Sequence, residues 1–176
     1  MTMRILIPAL LSLAALPAQA QEVFGGVLAQ GELRPASKDV GDRGAALQLG
    51  LRSGPVGPLK FLGGPRAYVF GSVNSDGGTN FLAGGLSWRI GPGPIYVRPG
   101  IGIAVHDAPG YRVGPVGLRT DFGSRVLFEP ELAIGTTILP RITAEAAWVH
   151  LSHARILSRQ NPGLDMIGLR VNLRLR

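Results

Sequence analysis

Apolar and polar side chains alternate along most of this chain, in segments of about ten residues separated by clusters of Gly, Pro, Asp and Asn. A period of two is typical of β-strands that have one apolar face. A tilted strand of about 9 to 11 residues can cross a lipid bilayer. The pattern predicts an all-β chain, an eight-stranded antiparallel transmembrane β-barrel. The eight segments lie near residues 22–31, 44–53, 60–73, 79–90, 94–105, 125–139, 141–153 and 165–176.

The charged residues of these segments fall on the face opposite the apolar one. In the fifth segment Arg98 lies opposite the row that contains Ile101, and in the sixth Glu131 lies opposite the row of Leu132. A membrane barrel turns its apolar face to lipid, while its lumen can hold polar groups. We therefore predict a network of ion pairs inside a narrow lumen. The residues expected there are Arg98, Glu129, Glu131, Glu145, Arg170 and Arg174.

The lengths of the connections indicate how such a barrel would be oriented. The three longest connections follow odd-numbered segments, and shorter turns follow most of the others. Long outer loops and short inner turns are expected when both termini lie in the periplasm. A soluble β-sandwich or a lipocalin-like barrel would instead place the apolar face inside, and alternation alone does not separate these folds. The length of the segments favours the membrane barrel.

The start of the chain predicts export. A basic start is followed by an apolar run over residues 5–16 and by the small-residue pattern Ala-Gln-Ala at 18–20, which signal peptidases cleave. The run is too short for a membrane-spanning helix, which needs about 20 apolar residues. We predict that residues 1–20 are a signal peptide that is removed. Residues 21–176 would then form a single domain in the cell outer membrane.

The charge and the cysteine content limit the partners and the means of stabilisation. The formal charge is +7, and the chain contains no cysteine. A basic chain can bind nucleic acid, but export argues against that partner, and outer-membrane lipids are the better candidates. The oligomeric state is left open, with a homodimer as one option. An exported fold without disulfides agrees with a barrel held by its own closed hydrogen bonding.

Polar residues interrupt the apolar row near the end of the seventh segment. His150 and Ser152 continue the even-numbered row that contains Trp148, and Asp165 begins the outward row of the eighth segment. All three flank the loop 154–164, and polar groups that face lipid are costly. Acyl transfer would explain them, because a histidine can activate a serine and a carboxylate can orient the histidine. The alternative is that they mark the interfacial girdle where strands end.

The same stretch resembles the lipid A 3-O-deacylase (PagL) family, in which a His-x-Ser pair is followed after a loop by Asn and then an acidic residue. The resemblance implies an outer-membrane enzyme that acts on lipid A and needs no cofactor or metal. It implies that Ser152 is the nucleophile, His150 its base and Asp165 the orienting acid. Support of the oxyanion is assigned to Asn161, Ala154 and Gly163.

Two positions differ from the family pattern. His153 follows the serine where the family commonly has Asn, and Asp165 stands where many members carry Glu. His153 falls on the face opposite His150, which is poor geometry for a shared metal, and we expect it to hydrogen-bond a loop. Two other functions remain open: a non-enzymatic barrel, in which Asp165 would lie out of reach of the imidazole, and a soluble periplasmic lipid-binding barrel.

Overall fold

The computed structural model describes residues 20–38, 41–108, 121–157 and 159–175, which form a closed barrel. Each strand pairs antiparallel with its neighbour in sequence, and the first strand pairs with the eighth. The predicted eight-stranded barrel is therefore confirmed. The strands are β1 Ala20–Gln30, β2 Gly44–Pro55, β3 Arg66–Asn74, β4 Phe81–Ser87, β5 Ile95–His106, β6 Val126–Leu139, β7 Ile142–Leu151 and β8 Leu164–Arg174.

The third strand begins later than the sequence predicts. A short 3-10 helix, Gly57–Leu62, occupies the connection from β2 to β3, so that β3 starts at Arg66 and not near residue 60. A proline in its first turn suits a helix start, because proline lacks an N–H that would be unpaired there. Gly63 ends the helix with a φ of 85°, a left-handed conformation that favours glycine.

The predicted signal peptide falls almost wholly outside the described residues, which begin at Ala20. Its removal stays a prediction. Within the part of the chain that the structure describes, no helix has the length and apolar character to span a membrane.

The alternation along the strands separates an apolar outer wall from a charged lumen. On β5, Ile101 is 57% exposed on the outer wall, whereas Arg98 is 1% exposed in the lumen. Arg174 differs from the prediction, because it lies exposed at the end of β8. Buried ion pairs in the lumen include Arg98–Glu145 (Nε to Oε1, 2.7 Å), Arg170–Glu131 (Nη1 to Oε2, 2.6 Å) and Arg52–Glu22.

Glycines on the inner face make room for these long side chains. A Cβ atom at Gly100 would lie 2.6 Å from Glu131 Cγ, and one at Gly135 would lie 2.4 Å from the Tyr96 ring. Both distances are shorter than carbon atoms tolerate, and a packed interior has little space to yield. The many glycines of this chain are thus part of how a narrow lumen accommodates arginine, glutamate and tyrosine.

We predict that Arg98→Met lowers the free energy of unfolding by about 3 to 5 kcal/mol, because it leaves a buried carboxylate without its cation. Arg98 contacts both Glu145 and Glu22. The matched control is Arg174→Met at the exposed strand end, which should change the stability by less than about 0.5 kcal/mol. Urea unfolding in lipid vesicles, followed by tryptophan fluorescence, measures both. Equal losses in the two variants would contradict the stabilising role of the lumen pairs.

Candidate active site

His150 and Asp165 lie directly opposite each other on β7 and β8, at the end of the barrel where these strands are joined by a loop. His150 Nδ1 is 2.8 Å from Asp165 Oδ1. Ser152 continues the row of His150, because side chains two apart on a strand share a face. Its backbone bonds to Phe128 on the other side, with N to O distances of 3.1 and 2.7 Å. The three polar groups therefore lie on the same outer face of the barrel, near its rim.

The carboxylate of Asp165 accepts hydrogen bonds at both oxygens. Oδ1 accepts from His150 Nδ1 and from the indole Nε1 of Trp148, each at 2.8 Å. Oδ2 accepts from the backbone N–H groups of Ala36 at 2.8 Å and Ser37 at 2.7 Å. Because a carboxylate can only accept, the proton of a neutral imidazole lies on Nδ1. Nε2 is then the nitrogen that can take a proton from a substrate or a hydroxyl.

The Asp165 carboxylate is buried, although alternation along β8 predicts that Asp165 faces lipid. Asp165 is 0% exposed and His150 is 8% exposed, whereas Ser152 is half-buried. The cover is the segment 31–38, which follows β1 and supplies the two amide donors. A buried polar group is tolerated when its hydrogen bonds are made. The serine is thus the member of the cluster that lies nearest to an approaching lipid.

Gly163 lies beside His150, at the end of the loop 154–164. Its φ is +73°, in the left-handed region, and a Cβ there would lie 2.9 Å from His150 Cε1 and 3.3 Å from Ser37 Cβ. The imidazole edge, Gly163 and Ser37 are therefore close neighbours. Glycine suits this position both for its backbone conformation and for the space beside the imidazole.

The hydroxyl of Ser152 is not bonded to His150 in this structure. Within the described ranges, neither Ser152 Oγ nor His150 Nε2 has a hydrogen-bond partner. A serine hydroxyl rotates between three staggered positions at little cost. The fold thus brings His150 and Asp165 into contact and places Ser152 in the row of His150.

His153 binds loops, as the sequence predicts. It is fully buried, and its Nε2 donates to the carbonyls of Phe122 at 2.8 Å and Gln160 at 2.9 Å. Its backbone N–H donates to Asn161 Oδ1 at 3.1 Å, which fixes the direction of that amide. Among the residues that the structure describes, His, Cys, Asp and Glu form no group of three or more that could hold a metal ion. His153 therefore acts here as a connector of two loops.

The chain leaves β7 through an unusual backbone turn. Ala154 and Arg155 have φ values of 52° and 60°, although neither is glycine. Such residues are uncommon in the left-handed region and often occur at functional sites. The turn begins two residues after Ser152. It therefore fixes the directions of the backbone N–H groups that follow the serine.

Residues 63–174 match the family described as lipid A 3-O-deacylase (PagL). The chain belongs to the PagL family. The matched region covers well over half of the chain and includes His150, Ser152 and Asp165, but it excludes the segment 31–38. PagL enzymes are ester hydrolases of lipid A in the outer membrane, and the resemblance that the sequence shows is confirmed.

Solved structures share the PagL fold with this chain. The crystal structure of the outer membrane enzyme PagL is 16% identical, with a TM-score of 0.61 over 88% of this chain and 99% of that chain. The crystal structure of Neisserial surface protein A (NspA) is 10% identical, with a TM-score of 0.55 over 88% and 96%. At these identities the similarity shows the fold alone. No curated protein sequence matches the chain.

Three donors to Asp165 were missed by sequence reasoning. Alternation along β7 assigns Trp148 only to the apolar row, and it does not point to Ala36 or Ser37. The predicted closure of the barrel gives one indication of the contact. It pairs Gln30 with Met166, so the residues after β1 must pass close to Asp165. No residue type marks the contact itself, since Ala36 and Ser37 donate through their backbone.

We predict that Gly163→Ala reduces the rate of lipid A deacylation by about 10- to 100-fold, because the added Cβ displaces the imidazole. Gly77→Ala is the matched control, with a φ of +76° and no atom within 4 Å of its Cβ position. Both variants bear the same backbone strain of about 1 to 2 kcal/mol. Deacylation of lipid A in mixed micelles and thermal unfolding measure the two effects. Similar activities in the two variants would show that the space beside His150 is not critical.

Proposed function

We propose that this chain is an outer-membrane serine esterase that hydrolyses the ester-linked acyl chain at the 3 position of lipid A. Ser152 is the nucleophile, His150 its base and Asp165 the orienting acid. The observation that carries this assignment is the 2.8 Å contact from His150 Nδ1 to Asp165 Oδ1, on the same outer face of the barrel as Ser152. A purely structural barrel has no need of this contact.

The first half of the reaction transfers the acyl group to the enzyme. Ser152 Oγ attacks the ester carbonyl while His150 Nε2 takes the hydroxyl proton. Asp165 stabilises the imidazolium that forms and keeps its Nδ1–H directed at Oδ1. The tetrahedral intermediate then expels the sugar oxygen, which receives the proton from His150 Nε2. The products at this stage are an acyl-serine and a lipid A with a free 3-hydroxyl.

The second half returns the enzyme to its starting state. A water molecule gives a proton to His150 Nε2 and attacks the acyl carbonyl, and collapse of the intermediate breaks the bond to Ser152 Oγ. The proton returns to that oxygen, and a fatty acid leaves. This sequence needs no metal and no cofactor.

The developing oxyanion needs donors close to the serine. Asn161 suits this role, because its Oδ1 already accepts from the N–H of His153, which leaves the amide Nδ2 as the donor end. The backbone N–H of Ala154 is the second donor, at the left-handed turn after the serine. Gly163 supports them by leaving space at the imidazole edge. His153 replaces the usual Asn and holds the loop that carries Asn161.

The substrate reaches the site sideways from the membrane. The outer wall beside Ser152 is apolar on β6, where Phe128 is 39% and Leu132 43% exposed. Acyl chains can lie against such a surface. Arg155 and Arg159, exposed in the loop 154–164, are available to the phosphates of lipid A. The homodimer stays a prediction.

We predict that Ser152→Ala abolishes deacylation, with a loss of at least about 10³-fold, because the remaining groups cannot supply a nucleophile. Mass spectrometry of lipid A from cells that express the variant should show no loss of the 3-linked acyl chain. Ser75→Ala, in the β3–β4 connection at the same end of the barrel, is the control and should retain full activity. A fluorophosphonate should label the unmodified protein and not Ser152→Ala. Deacylation that persists in Ser152→Ala would overturn the assigned nucleophile.

A further inference from the structure

The mechanism uses Asp165 but not the groups that hold it. Two successive backbone N–H groups, of Ala36 and Ser37, converge on Oδ2, and the indole of Trp148 converges on Oδ1. Successive amides of this kind form a concave site for anions. Hydrogen bonds to an ionised group are stronger than those between neutral groups. The carboxylate is therefore held by more than its bond to His150.

We propose that Trp148 and the segment 31–38, called the strap below, are positioning elements that hold the Asp165 carboxylate in line with His150 Nδ1. This inference rests on the proposed role of Asp165 as the orienting acid. It adds a contribution from the first hairpin of the barrel to a site otherwise built from the last one.

The length of the acid explains why such positioning matters. Aspartate is one methylene shorter than the glutamate that many family members carry, so it has less freedom to follow the imidazole. Its carboxylate can also rotate about the bond to Cβ unless both oxygens are bound. With two donors at each oxygen, this rotation is blocked. A catalytic group has to be held close to its productive geometry by supporting hydrogen bonds.

The strap is tethered at both ends by backbone hydrogen bonds. Gly31 N–H donates to the carbonyl of Asp165, and Lys38 N–H donates to the carbonyl of Pro162, each at 2.9 Å. Between these tethers Ala36 is exposed and Ser37 is half-buried. The strap thus buries little apolar surface, and its order depends on its hydrogen bonds, including those to the carboxylate. The dependence is mutual: the strap orients Asp165, and Asp165 orders the strap.

Trp148 acts on two members of the site. Its ring stacks on the His150 ring with a centroid distance of 5.9 Å and an angle of 27°. Its Nε1–H donates to the same oxygen that His150 contacts. Phenylalanine at this position would keep an aromatic ring but lose the donor. The substitution therefore separates hydrogen bonding from packing.

Trp148→Phe should lower kcat by about 10- to 100-fold with little change in KM, because one charge-assisted hydrogen bond is lost. The same substitution in an Asp165→Ala background should have no further effect, since the donor then has no acceptor. Trp88→Phe is the control; its indole donates to the carbonyl of Leu62 on the 3-10 helix, and its kcat should be unchanged. An equal loss of kcat from Trp148→Phe in both backgrounds would overturn the positioning role of Trp148.

The strap is tested by a pair of substitutions at one residue. Ser37→Pro removes the amide donor, whereas Ser37→Ala keeps it. We expect Ser37→Pro to lower kcat by about 10- to 100-fold, and Ser37→Ala, which removes a hydroxyl beside Asp165 but keeps the amide, to lower kcat by a smaller factor. A loss of kcat in Ser37→Ala as large as in Ser37→Pro would show that the side chain, and not the amide, is responsible. Equal and full activity in both would overturn the role of the strap.

Hydrogen exchange of the strap amides gives a readout that does not depend on catalysis. In the folded protein without substrate, Asp165→Ala should speed the exchange of residues 36 and 37, and Asp165→Asn should do so to a smaller extent. Ser152→Ala should leave it unchanged. Unaltered exchange in both Asp165 variants would overturn the proposal. If the exchange changes as expected but Ser152→Ala remains active, the strap is supported and the assigned nucleophile fails, so the two failures are distinguishable.

Discussion

The pairing of β1 with β8 is the constraint on which the rest of the structure depends. An open sheet in a bilayer would leave a row of backbone N–H and C=O groups without partners, each at a cost of several kcal/mol. Closure supplies them, from Glu22 opposite Arg174 to Gln30 opposite Met166. It also makes neighbours of the two ends of the chain. Ala36 and Asp165, which are 129 positions apart, are thereby brought within one hydrogen bond of each other.

The side chains in the lumen hold the strands rigid, and the contact between His150 and Asp165 needs rigid strands. A narrow barrel cannot leave its interior empty, so long side chains fill it and bind one another. Arg170 shows how: its guanidinium donates to Glu131 at 2.6 Å and to Gln48 at 2.9 Å, and it lies over the rings of Phe24 and Phe70 at 5.3 and 5.2 Å. Because these lumen contacts hold the strands in place, the residues on the outer faces of the strands have little room to move.

Much of the architecture could be predicted from the sequence, because apolar residues that face lipid alternate with polar residues that face the lumen along each strand. The outward row of Ile101 and the inward position of Glu131 follow from parity alone, as does the shared row of His150 and Ser152. The contact of His150 with Asp165 needed only the hairpin register. The donors Ala36 and Ser37 could not be found in this way, since a backbone N–H is common to almost every residue. The late start of β3 was missed for a related reason: Phe61 and Leu62 continue the apolar character of a strand within a 3-10 helix.

The hydrogen bonds of the acid also have a consequence for biogenesis. The donors Trp148 and His150 lie on the strand next to Asp165, so their bonds can form within the terminal hairpin. The two amide donors arrive only when the seam between β1 and β8 closes. A precursor with an open seam carries the serine, the histidine and the carboxylate, yet it lacks half of the donors to that carboxylate. Closure of the barrel therefore supplies the last two of the four donors to the Asp165 carboxylate of the proposed site.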